Sequence, residues 1–132
     1  MMVWLILGLM AYREELCSIS ELQWKARVVL CKSDAALFDT LLAATTSETE
    51  GISERDVIYF FISGERLVSN YNGTLSDLLR REIHAQFKEE SEAVILIGKD
   101  GGVKGVYSSL RWAEIFAAID AMPMREREKR KK

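Results

Sequence analysis

Val94-Ile95-Leu96-Ile97-Gly98-Lys99-Asp100-Gly101-Gly102-Val103-Lys104 is the stretch whose reading decides the fold. Its leading aliphatic run shows no polar alternation, so it reads as a strand buried on both faces. The Gly-Lys-Asp-Gly-Gly turn then reverses the chain into a second strand, residues 103–107. Gly98, Gly101 and Gly102 can supply the positive φ angles such a reversal requires. The same glycines would suit a phosphate loop, but that loop needs a helix N-terminus directly behind it, and here a strand follows. The expectation is a structural hairpin.

Working upstream, Arg27-Val28-Val29-Leu30-Cys31 reads as a first strand, again with both faces covered. Lys32-Ser33-Asp34 is a short turn in which Ser33 or Asp34 serves as an N-cap. The helix that follows reaches about Thr46 and places Leu37, Phe38, Leu41 and Leu42 on one side. Gly51 is expected to close a polar loop. Residues 56–62 form a second strand, and strand, helix, strand with short links reads as a βαβ crossover. Residues 63–73 are irregular, with Leu67 and Val68 suggesting a small ribbon. Asn72-Gly73-Thr74 fits the glycosylation sequon, a match that arises easily by chance. Thr74 is the expected cap of the next helix, whose stripe is Leu75, Leu78, Leu79, Ile83 and Phe87. Trp24 and Leu22 are expected to tuck against the sheet edge.

Downstream of the hairpin, Ser108 or Ser109 is expected to cap a last helix with Trp112, Ile115, Phe116, Ile119 and Met122 on its buried side. Pro123 stops it. The mostly basic tail beyond has no apolar partner and is expected to be mobile.

The 132 residues suit one domain with one core, and 48% apolar content excludes a disordered chain. A net charge of −2 gives no global field toward nucleic acid or anionic lipid. The tail lacks an aromatic residue for base stacking, so no specific nucleic-acid partner is expected. Cys17, Cys31 and the single His84 do not supply a four-ligand zinc site, and neither metal nor cofactor is expected. Residues 1–12 are almost purely apolar. They are too short to span a bilayer and match the core of an export signal in length, although no basic residue precedes them. The competing reading is a first helix or strand packed on the domain. The expected organisation is an apolar segment and connector over 1–21, a domain over 22–124 and a tail over 125–132. The expected compartment is periplasmic or extracellular, with the cytoplasm as the alternative.

The element order β-α-β-α-β-β-α resembles a thioredoxin-like domain. That resemblance implies a three-layer α/β/α fold with a mixed four-stranded sheet in order 2-1-3-4. Three motifs narrow it: Leu96 to Lys104 around Gly-Lys-Asp-Gly-Gly-Val-Lys, Ile119-Asp120-Ala121-Met122-Pro123-Met124-Arg125, and Glu54-Arg55-Asp56-Val57. Together they resemble a bacterial domain of unknown function, a type also found in animal sushi-repeat extracellular proteins and a coiled-coil-domain matrix protein. The resemblance implies no reaction and carries over no catalytic residue.

A thioredoxin-type enzyme needs a cysteine pair at the start of its first long helix, where the helix dipole lowers the thiol pKa. Here that place reads Lys32-Ser33-Asp34, with Cys31 just before it and no second cysteine three residues on. Ser91-Glu92-Ala93 stands where such enzymes carry a proline before the third strand. The expectation is a non-redox module that binds a protein or small ligand, with Lys32, Ser33 and Asp34 as the candidate binding residues. The enzyme alternative is a one-cysteine peroxiredoxin-like protein using Cys31, its thiolate favoured by Lys32. Against this stands the tendency of a buried cysteine to act as a small apolar residue.

Overall fold

A computed structural model describes residues 14–87 and 93–131. The apolar segment 1–12 and residues 91–92, which precede the third long strand, lie outside the described residues. Five strands form one sheet in the order β3-β2-β1-β4-β5. They are β1 (Arg27–Lys32), β2 (Val57–Ser63), β3 (Arg66–Ser69), β4 (Ala93–Ile97) and β5 (Val103–Tyr107). β1 and β2 run parallel, and the other three pairings are antiparallel. Without β3, the order is the 2-1-3-4 arrangement of a thioredoxin-like sheet. The helices are α1 (Ala35–Thr46), α2 (Thr49–Glu54), α3 (Asp77–Phe87), α4 (Trp112–Asp120) and α5 (Pro123–Lys131), preceded by a 3-10 turn, Ile19–Leu22.

The strand count corrects the four-stranded expectation. The ribbon at Leu67 and Val68 is a full edge strand, because Gly64 takes φ 59° and folds Arg66–Ser69 back onto β2. A left-handed residue at such a turn is where glycine avoids a steric penalty.

β1 shows why an unbroken apolar run belongs at the centre. Val28 and Leu30 face one core with Phe60, Ile62, Leu79, Ile83, Ile95 and Ile97. Val29 and Cys31 face the other, with Phe38, Phe61, Leu96, Trp112, Ile115 and Ile119. α3 covers the first face; α1 and α4 cover the second. Trp112 Nε1 donates to Thr45 Oγ1 at 2.9 Å, and Thr45 Oγ1 donates to the Leu41 carbonyl at 2.7 Å. That chain joins α4 to α1 and satisfies the polar atom that a buried indole carries. The hairpin turn closes through Gly98 N–H to Gly102 O (2.9 Å) and Gly101 N–H to Gly98 O (3.0 Å), with Gly101 at φ 87°.

Several local expectations are corrected. Gly51 lies inside α2 rather than in a loop, because Ile52 is buried there and Gly51 sits against the Phe116 ring. Ser76, not Thr74, caps α3, its Oγ accepting from Leu79 N–H at 3.1 Å. Thr74 instead accepts from Leu16 N–H at 2.8 Å, which draws residue 16 into the core. Apolar packing therefore begins ahead of residue 22. Arg111 is the N-cap of α4 and makes no side-chain cap bond, in place of Ser108 or Ser109. Trp24 is 63% exposed at φ 69° and is not tucked against the sheet. Pro123 ends α4 but opens α5, since proline is well placed at the first position of a helix. The tail is thus helical to residue 131, and Arg125 within it is buried. Among the described residues, no helix is long and apolar enough to cross a membrane.

Candidate functional site

The rim at the C-terminal end of β1 contains the residues the sequence singles out. Asp34 caps α1, its Oδ1 accepting from Leu37 N–H at 2.9 Å. Ser33 is buried, and its Oγ donates to the Asp34 carbonyl at 3.2 Å. Lys32 ends the strand half-buried. The crevice here, lined by Cys31, Lys32, Ser33, Leu37 and Val94 among others, measures only ≈ 50 Å³. Cys31 pairs with Phe61 on one side and Val94 on the other and is 2% exposed. It is a strand residue inside the sheet, one turn of chain short of the α1 N-terminus. Cys17 is half-exposed, and no disulfide joins the two. His84 Nε2 lies 3.1 Å from the Gly64 carbonyl, a surface contact. Among the described residues, no group of three or more His, Cys, Asp or Glu is placed to hold a metal ion.

The opposite end of β1 is where the three motifs meet. Arg27, the first residue of the strand, is 1% exposed. Its Nη1 and Nη2 donate to Glu128 Oε1 and Oε2, each at 3.2 Å, and Nη1 also donates to the Arg55 carbonyl at 2.9 Å. Lys99 Nζ donates to Glu128 Oε2 at 2.7 Å and to Asp56 Oδ2 at 2.9 Å. Arg55 grips Asp120 through Nε (3.1 Å) and Nη2 (2.9 Å) and lies 4.3 Å over the Phe116 ring. Arg125 donates to Glu54 Oε1 at 2.9 Å, to the Glu54 carbonyl at 3.2 Å and to Asp120 Oδ1 at 3.4 Å. Asp56 takes φ 54°, a conformation that aspartate tolerates better than most residues, and this turns the chain from α2 into β2.

Four cations (Arg27, Arg55, Lys99, Arg125) thus face four carboxylates (Glu54, Asp56, Asp120, Glu128), so the cluster is neutral. Each carboxylate is engaged. Burial pushes the Glu128 carboxyl up, but hydrogen bonds from Lys99 and Arg27, and their charges, outweigh this and lower it from 4.5 to about 2. Asp120 is held below the usual range, first by the Arg55 hydrogen bond and against the pull of burial. Burial acts to lower the Arg125 pKa, and its bonds to Asp120 and Glu54 more than reverse that. In this network every carboxylate is met by at least one guanidinium or ammonium group. The network fastens α5 to the foot of the sheet.

Beside this clasp lies a cleft of ≈ 470 Å³, between the β4–β5 turn and the corner joining α4 to α5. Arg27, Lys99, Asp100 and Lys104 make its polar side; Ala118, Ala121, Met122, Pro123 and Met124 make its apolar side. The motifs stand out in the sequence, but their convergence is visible only in the folded chain. The missed residues are Arg27 and Glu128. The available signal was an arginine opening a strand buried on both faces, which requires a carboxylate partner from elsewhere.

Comparison with known proteins agrees with the extent of this packing. A family profile described as "Domain of unknown function (DUF4174)" matches residues 18–128. Among solved structures, one reported as "Crystal structure of Trgpx in apo form" is 14% identical, with 76% of this chain and 84% of that chain covered and a TM-score of 0.47. No curated protein matches the chain.

Proposed function

The chain belongs to the DUF4174 family, whose description is a domain of unknown function, and from that premise we propose that it works as a non-redox thioredoxin-like binding module. One observation carries the reading: Cys31 is a central-strand residue, 2% exposed, and not a helix-start thiol. A thiolate nucleophile needs an accessible, electropositive site, and a thiol packed between Phe61 and Val94 has neither access nor room. The rim at Lys32, Ser33 and Asp34 offers a surface to a protein partner, since its crevice is too small for more than water. The cleft beside Lys99 and Lys104 has the volume that a small ligand needs. The export-signal-like composition of residues 1–12 supports a partner in the cell envelope.

The test is thiol reactivity in the native full chain. Cys31 stays unmodified near neutral pH until denaturant is added, while Cys17 reacts, and peroxide is not consumed. Fast labelling of Cys31, with peroxide turnover that disappears in Cys31→Ala, would establish the one-cysteine peroxidase instead.

A further inference from the structure

We propose that β5 is a self-association edge. Two copies of this chain pair antiparallel through Gly105-Val106-Tyr107, with Val106 opposite Val106 of the second copy, and join their sheets into one. The proposal goes beyond the binding-module reading and does not depend on it.

The sheet has two edges, β3 and β5. The outward amides and carbonyls of an edge strand are a template for another strand. The side chains tell the two edges apart. On β3, Leu67 and Val68 are half-buried, and Arg66 lies 4.2 Å over the Phe38 ring. On β5, Val103 and Val106 are 56% and 62% exposed, and they are the strand residues among the large exposed apolar side chains of the described residues. A lysine and a break in register are devices that keep an edge from pairing. β5 has both at its first end only: Lys104, and the register shift beside Ile97. Gly105, Val106 and Tyr107 beyond them carry no charge.

The register follows from which face each residue takes. Gly105 and Tyr107 lie opposite Leu96 and Val94, on the α4 side. Val106 lies opposite Ile95, on the α3 side. A two-fold axis at Val106 sets Gly105 opposite Tyr107 of the second copy, which keeps every pair on one face. It also covers the exposed Val106 with its own equivalent and leaves the register shift outside the pairing. Lys104 then faces Ser108, so no like charges stand directly opposite each other.

The charges beyond the strand select a second copy as the occupant. The first end of β5 carries Lys104 and Asp100, paired with each other at 2.8 Å. Lys104 sits on the α4 side, where it shares a wall with Ala118, Ala121 and Met122. The other end opens into a concavity of ≈ 360 Å³ that Arg111 and Glu114 line together with Val106, Tyr107, Ser108 and Ser109. Arg111 and Glu114 are exposed, and among the described residues neither side chain has an ion pair or hydrogen bond. The two-fold axis brings Lys104 and Asp100 of one copy to Arg111 and Glu114 of the other. Each end thus brings one cation and one carboxylate to the other, twice in the dimer. Pairing through one short strand buries less than the roughly 1,200 Å² of a stable complex, so the dimer is a weak one, forming at chain concentrations on the order of 100 μM.

The experiment is sedimentation equilibrium of the full chain from low to high micromolar concentration. The apparent mass is expected to rise from one chain toward two and to stop there, because a two-fold contact closes. Val106 is exposed, so Val106→Lys and Val106→Asp keep the native circular dichroism. Each is expected to weaken the dimer by about tenfold or more, since like charges then stand opposite and the valine contact is lost. An equimolar mixture of the two variants should dimerise again, because opposite charges face each other across the axis. Leu78→Lys, at an exposed leucine on α3, should leave association unchanged. A native chain that stays monomeric throughout would leave the edge to a strand of another protein and overturn the proposal. So would a dimer that survives Val106→Lys, a mixture that stays monomeric, or equal loss in Leu78→Lys.

Discussion

Replacing Glu128 by glutamine removes the one carboxylate shared by Arg27 and Lys99, and the cost can be worked out in two ways. Its carboxyl has a folded-state pKa of about 2 against 4.5 when unperturbed. At about 1.4 kcal/mol per pH unit, that difference is about 3 kcal/mol of stability. The side chain is 23% exposed, so solvent screening does not remove most of it. Independently, breaking an ion pair while its partner stays buried costs about 3–5 kcal/mol, and Arg27 is 1% exposed. The first route thus falls at the lower end of the second, and about 3 kcal/mol is the figure both allow. The folded-state value lies below the unfolded one, so the contribution is present above pH 4.5 and fades as pH falls toward 2. Urea unfolding of the full chain at pH 7 should show Glu128→Gln less stable by about 3 kcal/mol, and the gap should narrow as the pH is lowered below 4.5. A difference under about 1 kcal/mol at pH 7, or a gap of constant size down to acid pH, would refute the reasoning.

Three further predictions concern the scaffold. Phe60, fully buried under α3, should cost about 3–5 kcal/mol when cut to alanine, as read by urea midpoint. Asp34→Ala removes the cap bond to Leu37 N–H and should lower stability by about 1 kcal/mol in the same assay, with the sheet's circular dichroism unchanged. Gly51→Ala should destabilise by about 1 kcal/mol or more, although alanine is the better helix former. Its Cβ would stand 2.8 Å from Phe116 Cε2, and the resulting overpacking exceeds the propensity gain. A thermal midpoint that rises in Gly51→Ala would contradict that contact.

The central strands and the hairpin were legible because burial on both faces leaves a mark in every residue, as at Val28 to Cys31 and Val94 to Ile97. Asp34 as a cap was legible because the chemistry is local. The tail was not. Residues 123–131 contain few apolar side chains, and a polar nine-residue helix is marginal in water by itself, so composition pointed to a mobile end. What holds α5 is non-local: Arg125 reaches Glu54, 71 residues away in sequence, and Glu128 reaches Arg27, 101 away. No periodicity reports such pairs. The motifs did carry the information, as acids and bases at Glu54, Arg55, Asp56, Lys99, Asp120 and Arg125, but only the folded chain shows which partners they choose. Trp24 departs from the expected tucked position for a related reason. Its place is set by a backbone bond from its N–H to Lys99 O at 2.6 Å rather than by burial of its ring.

α5 is clasped to the foot of the sheet by residues of three separate motifs together with Arg27 and Glu128. Amide hydrogen exchange of residues 127–131 in the full chain at neutral pH tests this directly. The account predicts slowed exchange in the native protein and a return toward free-peptide rates in Glu128→Gln. Exchange at free-peptide rates in the native chain, or protection unchanged in the variant, would contradict it.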